Sequence, residues 1–132
     1  MKIFVSGKVG EEGNVRAAMK LLQEAGHDLT FDWTTIDHLR PYDENVAACR
    51  ETAIKESRSI KDADLLIVLA HERGVGMYVE LGIAIGSGIP VRVVTDAESR
   101  TMFFHHPLVK KVNNLEQILR EFSQRGTLTC DP

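Results

Sequence analysis

The chain has 132 residues, 43% of them apolar and 27% charged, enough for one domain around one core and too little for two. Sixteen lysines and arginines against 19 acids leave a net charge of −3, which argues against a protein built to bind the nucleic-acid backbone. No stretch approaches the ~20 apolar residues of a membrane span, and the opening apolar run is too short for a signal peptide, so a single cytoplasmic domain over residues 1–132 is expected.

Ile3 to Ser6 reads as a strand that stops at Ser6-Gly7, and Glu11 to Ala25 follows as a helix with Val15, Ala18, Met19, Leu22 and Ala25 at helical spacing. Gly26 stands where a helix takes a left-handed terminating residue. His27 to Trp33 reads as the second strand, with Leu29, Phe31 and Trp33 on one face. A loop from Thr34 to Tyr42 precedes a second helix, Asp43 to Ser59. Asp64 to Ala70 is a continuous apolar run of the kind buried on both faces of a parallel sheet, which makes it the central strand. The loop His71 to Val75 leads to an apolar helix from Met77 to Ser87, and Ile89 to Val94 forms the fourth strand. Val109 to Val112 is a short fifth strand, Leu115 to Phe122 a last amphipathic helix ending near Gly126, and Thr127 to Pro132 an irregular tail. Cys49 and Cys130 fit no metal-ligand spacing and read as free thiols.

Strands alternating with helices imply an α/β architecture. The expected form is a flavodoxin-like (Rossmann-like) open parallel sheet of about five strands, order 2-1-3-4-5, with helices on both faces. Ligands bind such sheets at the carboxyl ends of strands 1 and 3, where the winding reverses. The loops Ser6 to Gly13 and His71 to Gly76 therefore meet at the expected site.

Glu80 is the strongest anomaly, the only charged residue among seventeen positions from Val75 to Val91. In the first turn of its helix it would be held ionised by the helix's positive end while apolar neighbours oppose the charge. It is either a poorly hydrated carboxylate poised for chemistry or a plain dipole-stabilising acid. Glu56 is a second misfit, since it fills an inward slot in the series Val46, Cys49, Ala53, Ile60. That end of the helix points toward the amino edge of the sheet, which leaves a surface pairing with Arg58 or Lys55 as the other reading. The first loop carries Gly7, Gly10 and Gly13, and Gly74 and Gly76 flank the third helix. Their N–H groups, with Lys8 or Arg73, hold a phosphate or sugar hydroxyl, or else the glycines serve tight turns. Asp32, Trp33 and Thr34 end the second strand on the crevice side, where the indole stacks on a base or simply fills the core. Tyr42 and Tyr78 are similar candidates, and His71 is the one histidine of interest. The five histidines show no metal spacing, so no metal or redox cofactor is expected.

The segment Ala63-Asp64-Leu65-Leu66-Ile67-Val68-Leu69, followed by Gly76-Met77-Tyr78-Val79-Glu80-Leu81-Gly82-Ile83-Ala84, resembles the nucleoside 2-deoxyribosyltransferases and the related 2′-deoxynucleoside 5′-phosphate N-hydrolases. Those sequences carry Ala/Ser-Asp, an apolar strand, then Gly-x-x-x-Glu-Leu/Ile-Gly-x-Ala. The resemblance implies Glu80 as nucleophile and Glu56, eight positions before Ala63-Asp64, where the family usually has Asp, as the residue assisting at the base or sugar. Phe4 stands where the family often has a Tyr that touches the nucleophile, and Gly74 where relatives place Asp or Ser. The implied activity is cleavage of the N-glycosidic bond of a 2′-deoxyribonucleoside or its 5′-phosphate, with transfer to another base or to water. Ser6, Gly7, Lys8, Asp32, Trp33, Gly74, Gly76 and Tyr78 are the expected substrate contacts. Partners would be the small-molecule nucleoside or nucleotide and further copies of the chain, since relatives are homo-oligomers. A nucleotide-sensing module without turnover and an NAD glycohydrolase are the rival readings.

Overall fold

A computed structural model describes residues 1–36 and 39–125. The expected tail Thr127 to Pro132, with Cys130 and the helix end at Gly126, lies outside them. Strands β1 (Lys2–Ser6), β2 (Asp28–Leu29), β3 (Leu65–Leu69), β4 (Val91–Val94) and β5 (Val109–Val112) alternate with helices α1 (Glu12–Glu24), α2 (Val46–Lys61), α3 (Val75–Gly86) and α4 (Leu115–Arg125). The strands are all parallel and lie in the order β2-β1-β3-β4-β5, the expected flavodoxin-like arrangement. No helix is long and apolar enough to cross a membrane among the described residues.

Burial explains the central position of β3. Leu65 to Val68 are 2% exposed or less, so the run has no polar face to turn to water. Register assigns the faces of the sheet. Phe4, Leu66, Val91 and Val109 are matched across four strands, as are Ser6, Val68, Val93 and Lys111 two residues further on. Because strand side chains alternate, both rows point to one face, and the row Val5, Ile67, Arg92, Lys110 points to the other. The first face is covered by α3, which reaches Ser6 through Glu80, and by α2 packed beside it. The second carries α4, whose Glu121 meets Arg92.

That pair is an unforeseen feature of the core. Arg92 is 0% exposed on β4, and its Nη2 lies 2.9 Å from Glu121 Oε1, with Lys110 Nζ 3.8 Å from the same oxygen. A buried guanidinium persists only when its charge and donors are matched.

The second strand is much shorter than expected, two residues instead of His27 to Trp33. The Asp32 carboxylate accepts from the backbone N–H and the hydroxyl of Thr34 and caps a 3-10 turn, Trp33–Thr35. On an edge strand such local capping competes successfully with a ladder. Helix α2 likewise starts at Val46 and not Asp43, after a 3-10 turn at Tyr42–Glu44. Met102–His105 forms a further 3-10 turn capped by Thr101. Gly26 has φ +92°, as its terminating position requires.

Candidate active site

Helix α3 begins two residues earlier than its apolar pattern suggested, at Val75 with Gly74 as N-cap, so Glu80 lies in the second turn and no acid occupies the first. This corrects the expectation of a carboxylate held ionised by the helix end, because that field fades within the first turn. Burial decides the balance instead. Glu80 Oε1 accepts a hydrogen bond from Ser6 Oγ at 2.8 Å, while Oε2 is shut off from solvent without a partner among the described residues. Desolvation, and then the charge of Glu56, push the Glu80 carboxyl up to about 8, against the opposing pull of the Ser6 hydroxyl.

Glu56 therefore lies beside Glu80. Both helices run antiparallel to the strands; Glu80 is five residues past the start of α3 and Glu56 five short of the end of α2, ~7.5 Å of axis each. Both carboxylates lie within the helix layer and not at its amino edge, near enough for the charge on Glu56 to oppose ionisation of Glu80. Among the described residues Glu56 makes no ion pair with Arg58 or Lys55, and the Lys55 ammonium sits 4.7 Å over the Phe31 ring. Burial raises the Glu56 carboxyl too. Two neighbouring acids that both resist ionisation keep a proton to higher pH than free carboxyls do.

The same fold carries a CMP N-glycosidase. That solved structure, BcmB of Clostridium botulinum, is similar to this chain with a TM-score of 0.64 over 93% of this chain and 99% of its own, at 16% identity. A conserved protein of Enterococcus faecalis has a TM-score of 0.60 over 95% and 98%, at 19% identity. At these identities the likeness is one of fold. Comparison with models of protein families and with curated proteins gives no match.

The remaining expected contacts fall into two groups. Ser6 and Gly7 end β1 beside the dyad, and Gly74 and Gly76 open α3. Gly7 is required by packing, since a Cβ there would stand 2.5 Å from Val15 Cγ2. At Gly74 the Met77 side chain fills the space a Cβ would take, whereas Gly76 faces open space. The first loop is folded on itself: the Gly10 N–H donates to the Glu12 carboxylate at 3.0 Å, the Glu11 N–H to Lys8 O, and Lys8 Nζ to Val9 O. Gly10 has φ +104°, the tight-turn role, and its N–H is already occupied.

Trp33, Asp32 and Tyr78 are each engaged by other groups. The indole is 8% exposed in the core and donates from Nε1 to Val5 O at 2.7 Å, so its faces are not offered to a base. The Asp32 carboxylate is engaged with Thr34. Tyr78, two residues before Glu80 and hence across the helix from it, stacks on Phe104 with centroids 6.2 Å apart. Tyr42 is exposed and bonded to Arg40, and His71 Nδ1 accepts from the Arg73 N–H. Among the described residues no group of three His, Cys, Asp or Glu is placed to hold a metal. Ser6 as the partner of Glu80, and not only a substrate contact, was missed in the sequence; the clue was a hydroxyl ending an otherwise apolar strand.

Proposed function

We propose that the chain cleaves the N-glycosidic bond of a 2′-deoxyribonucleoside or its 5′-phosphate. The observation that carries this reading is the half-buried pair Glu80 and Glu56 with Ser6 at the carboxyl end of β1. Deprotonated Glu80 attacks the anomeric carbon, the bond to the base breaks with its electrons passing to the base, and a glycosyl ester on Glu80 results. Glu56 orients the departing base, which takes its proton from water. Water or a second base then attacks the same carbon, the ester breaks, and Glu80 is regenerated with net retention at that carbon. Ser6 holds one Glu80 oxygen in place. Gly7, Lys8, Gly74 and Gly76, just past the carboxyl ends of β1 and β3, would meet sugar and phosphate.

The fold shared with a CMP N-glycosidase supports testing nucleoside monophosphates first. The protein is expected to act in the cytoplasm as a homo-oligomer. Val46 and Ile54 of α2 and Val75 and Val79 of α3 are 45–79% exposed on the dyad's side of the sheet, an apolar surface that a second copy would cover. The deciding experiment offers deoxynucleosides, deoxynucleotides and NAD, and measures free base. Release that falls at least about a thousandfold in Glu80→Ala, with a trapped glycosyl peptide containing Glu80, supports the reading. Undiminished turnover in that variant ends it, and binding without release favours a sensor.

A further inference from the structure

On the other flank of α3 the chain builds a second concave site that the proposed reaction does not use. An open cavity of about 530 Å³ is lined by residues 98–102, His105 and Lys111. Its place follows from register. Lys111 lies in the same row as Ser6, three strands away, which is ~14 Å across the sheet and on the same face. Helix α3 stands between them. Its Glu80 turns to Ser6, while its Tyr78 packs on Phe104 in the 3-10 turn that also carries Met102 and His105.

The cations of this cavity each have a partner. Lys111 Nζ donates to Ala97 O at 3.1 Å and to Ser99 Oγ at 2.9 Å, which ties the β4–β5 connection down and leaves one ammonium proton to spare. Arg100 Nη2 reaches the Glu72 carboxylate at 3.0 Å, in the connection after β3. Its side chain remains 54% exposed, with four further N–H donors. Thr101 Oγ1 accepts from the Phe103 N–H and keeps its own proton for a ligand. The lining sets Arg100 and Lys111 against one carboxylate, Glu98, with Glu72 paired to Arg100 from outside it. Met102, 77% exposed, adds an apolar wall.

We propose that this cavity binds a phosphomonoester of nucleotide size. Two cations and a hydroxyl suit a doubly charged phosphate, whose three oxygens take a forked guanidinium and an ammonium together. The volume exceeds what a bare phosphate fills and falls within the range of small-molecule sites. Glu98 accepts from a sugar hydroxyl or a base amine, and Met102 lies against the ring. The phosphate comes either from a substrate reaching around α3 or from a separate nucleotide that binds here alone.

The test is titration of the ¹⁵N-labelled full chain, wild type and Glu80→Gln, with thymidine 5′-monophosphate, inorganic phosphate and thymidine at constant ionic strength. The monophosphate, and more weakly phosphate, move the amide signals of 97–102 and 111, and thymidine does not. Arg100→Ala and Lys111→Ala each weaken monophosphate binding about tenfold, the loss of one charge-assisted hydrogen bond. Arg100 is exposed enough that its removal leaves the core intact. Simultaneous shifts at Ser6 and 75–80 identify the ligand as substrate, and shifts confined to 97–111 identify a separate nucleotide. Silence at 97–111 at millimolar probe, or unchanged affinity in both variants, overturns the proposal. None of these readouts needs turnover, so failure here and failure of base release are told apart.

Discussion

Ser6 and Glu80 lie 74 positions apart in the chain and 2.8 Å apart in space, the last residue of β1 donating its hydroxyl to a carboxylate in the second turn of α3. That hydrogen bond favours the ionised acid, while burial and the Glu56 charge favour the neutral one. The two disfavouring influences win. Consequences for rate and for stability follow, with opposite dependence on pH.

Attack by Glu80 needs its carboxylate, and the carboxyl titrates at about 8. The value of kcat/KM therefore rises nearly tenfold per pH unit below that point and levels off above it. Glu56→Gln removes the neighbouring negative charge, lowers the Glu80 pKa and moves the limb to lower pH, while the plateau falls because the departing base loses the carboxylate that orients it. Ser6→Ala removes a donor to the carboxylate and moves the limb to higher pH. Profiles of the three proteins between about pH 5 and 10 check this. A flat wild-type profile, or limbs shifted in the same direction by both variants, contradicts the assignment.

Stability runs the other way. The folded-state pKa of Glu80, about 8, lies above its ordinary value of 4.5, so between these values the folded chain holds a proton that the unfolded chain has released. Folding then weakens as pH rises from about 4.5 to 8, with no penalty below that window. Glu56, also raised, adds to the same trend. Glu80→Gln keeps an oxygen for Ser6 and never carries the charge. Its gain over wild type is small at pH 5 and on the order of 3 kcal/mol at pH 9, read from urea unfolding. A gain that is constant across pH points to packing and not to the buried charge.

Trp33 distinguishes a core residue from a base-stacking one. Its Nε1 bond to Val5 O and its near-complete burial predict that Trp33→Phe loses about 1–2 kcal/mol of stability, by the unpaired carbonyl and the lost ring volume, while kcat/KM for any substrate stays within twofold. A large rise in KM at unchanged stability returns the indole to the site.

The parts legible in the sequence are those set by long apolar periods. The run at β3 and the spacing of Val15, Ala18, Met19 and Leu22 in α1 read correctly because burial on the sheet dictates them. Glu80 was visible for the same reason, as one charge in an apolar helix. The shortening of β2 was not legible, because capping by Asp32 is a contest between one side chain and an edge ladder that composition does not decide. The site side of Tyr78 turned on two residues: a helix starting at Val75 and stacking with Phe104 places it across α3 from Glu80. The cavity at Arg100 and Lys111 joins two segments through strand register, which no local pattern encodes.

Arg92 and Glu121 give a test confined to the opposite face of the sheet. The guanidinium is fully buried, and two of its nitrogens reach the Glu121 carboxylate, Nη2 at 2.9 Å and Nε at 3.3 Å. Removing one partner leaves the other charge in a medium that cannot solvate it, a loss of about 3–5 kcal/mol, whereas replacing the pair by apolar residues of similar volume is close to neutral. Glu121→Ala is therefore expected to lower Tm by roughly 10–20 °C. The double variant Arg92→Met with Glu121→Leu recovers most of that, although Lys110 then loses its neighbour at 3.8 Å. Calorimetry on both variants decides. If the double variant unfolds no higher than Glu121→Ala, the cost lies in lost contacts around the pair and not in a stranded charge.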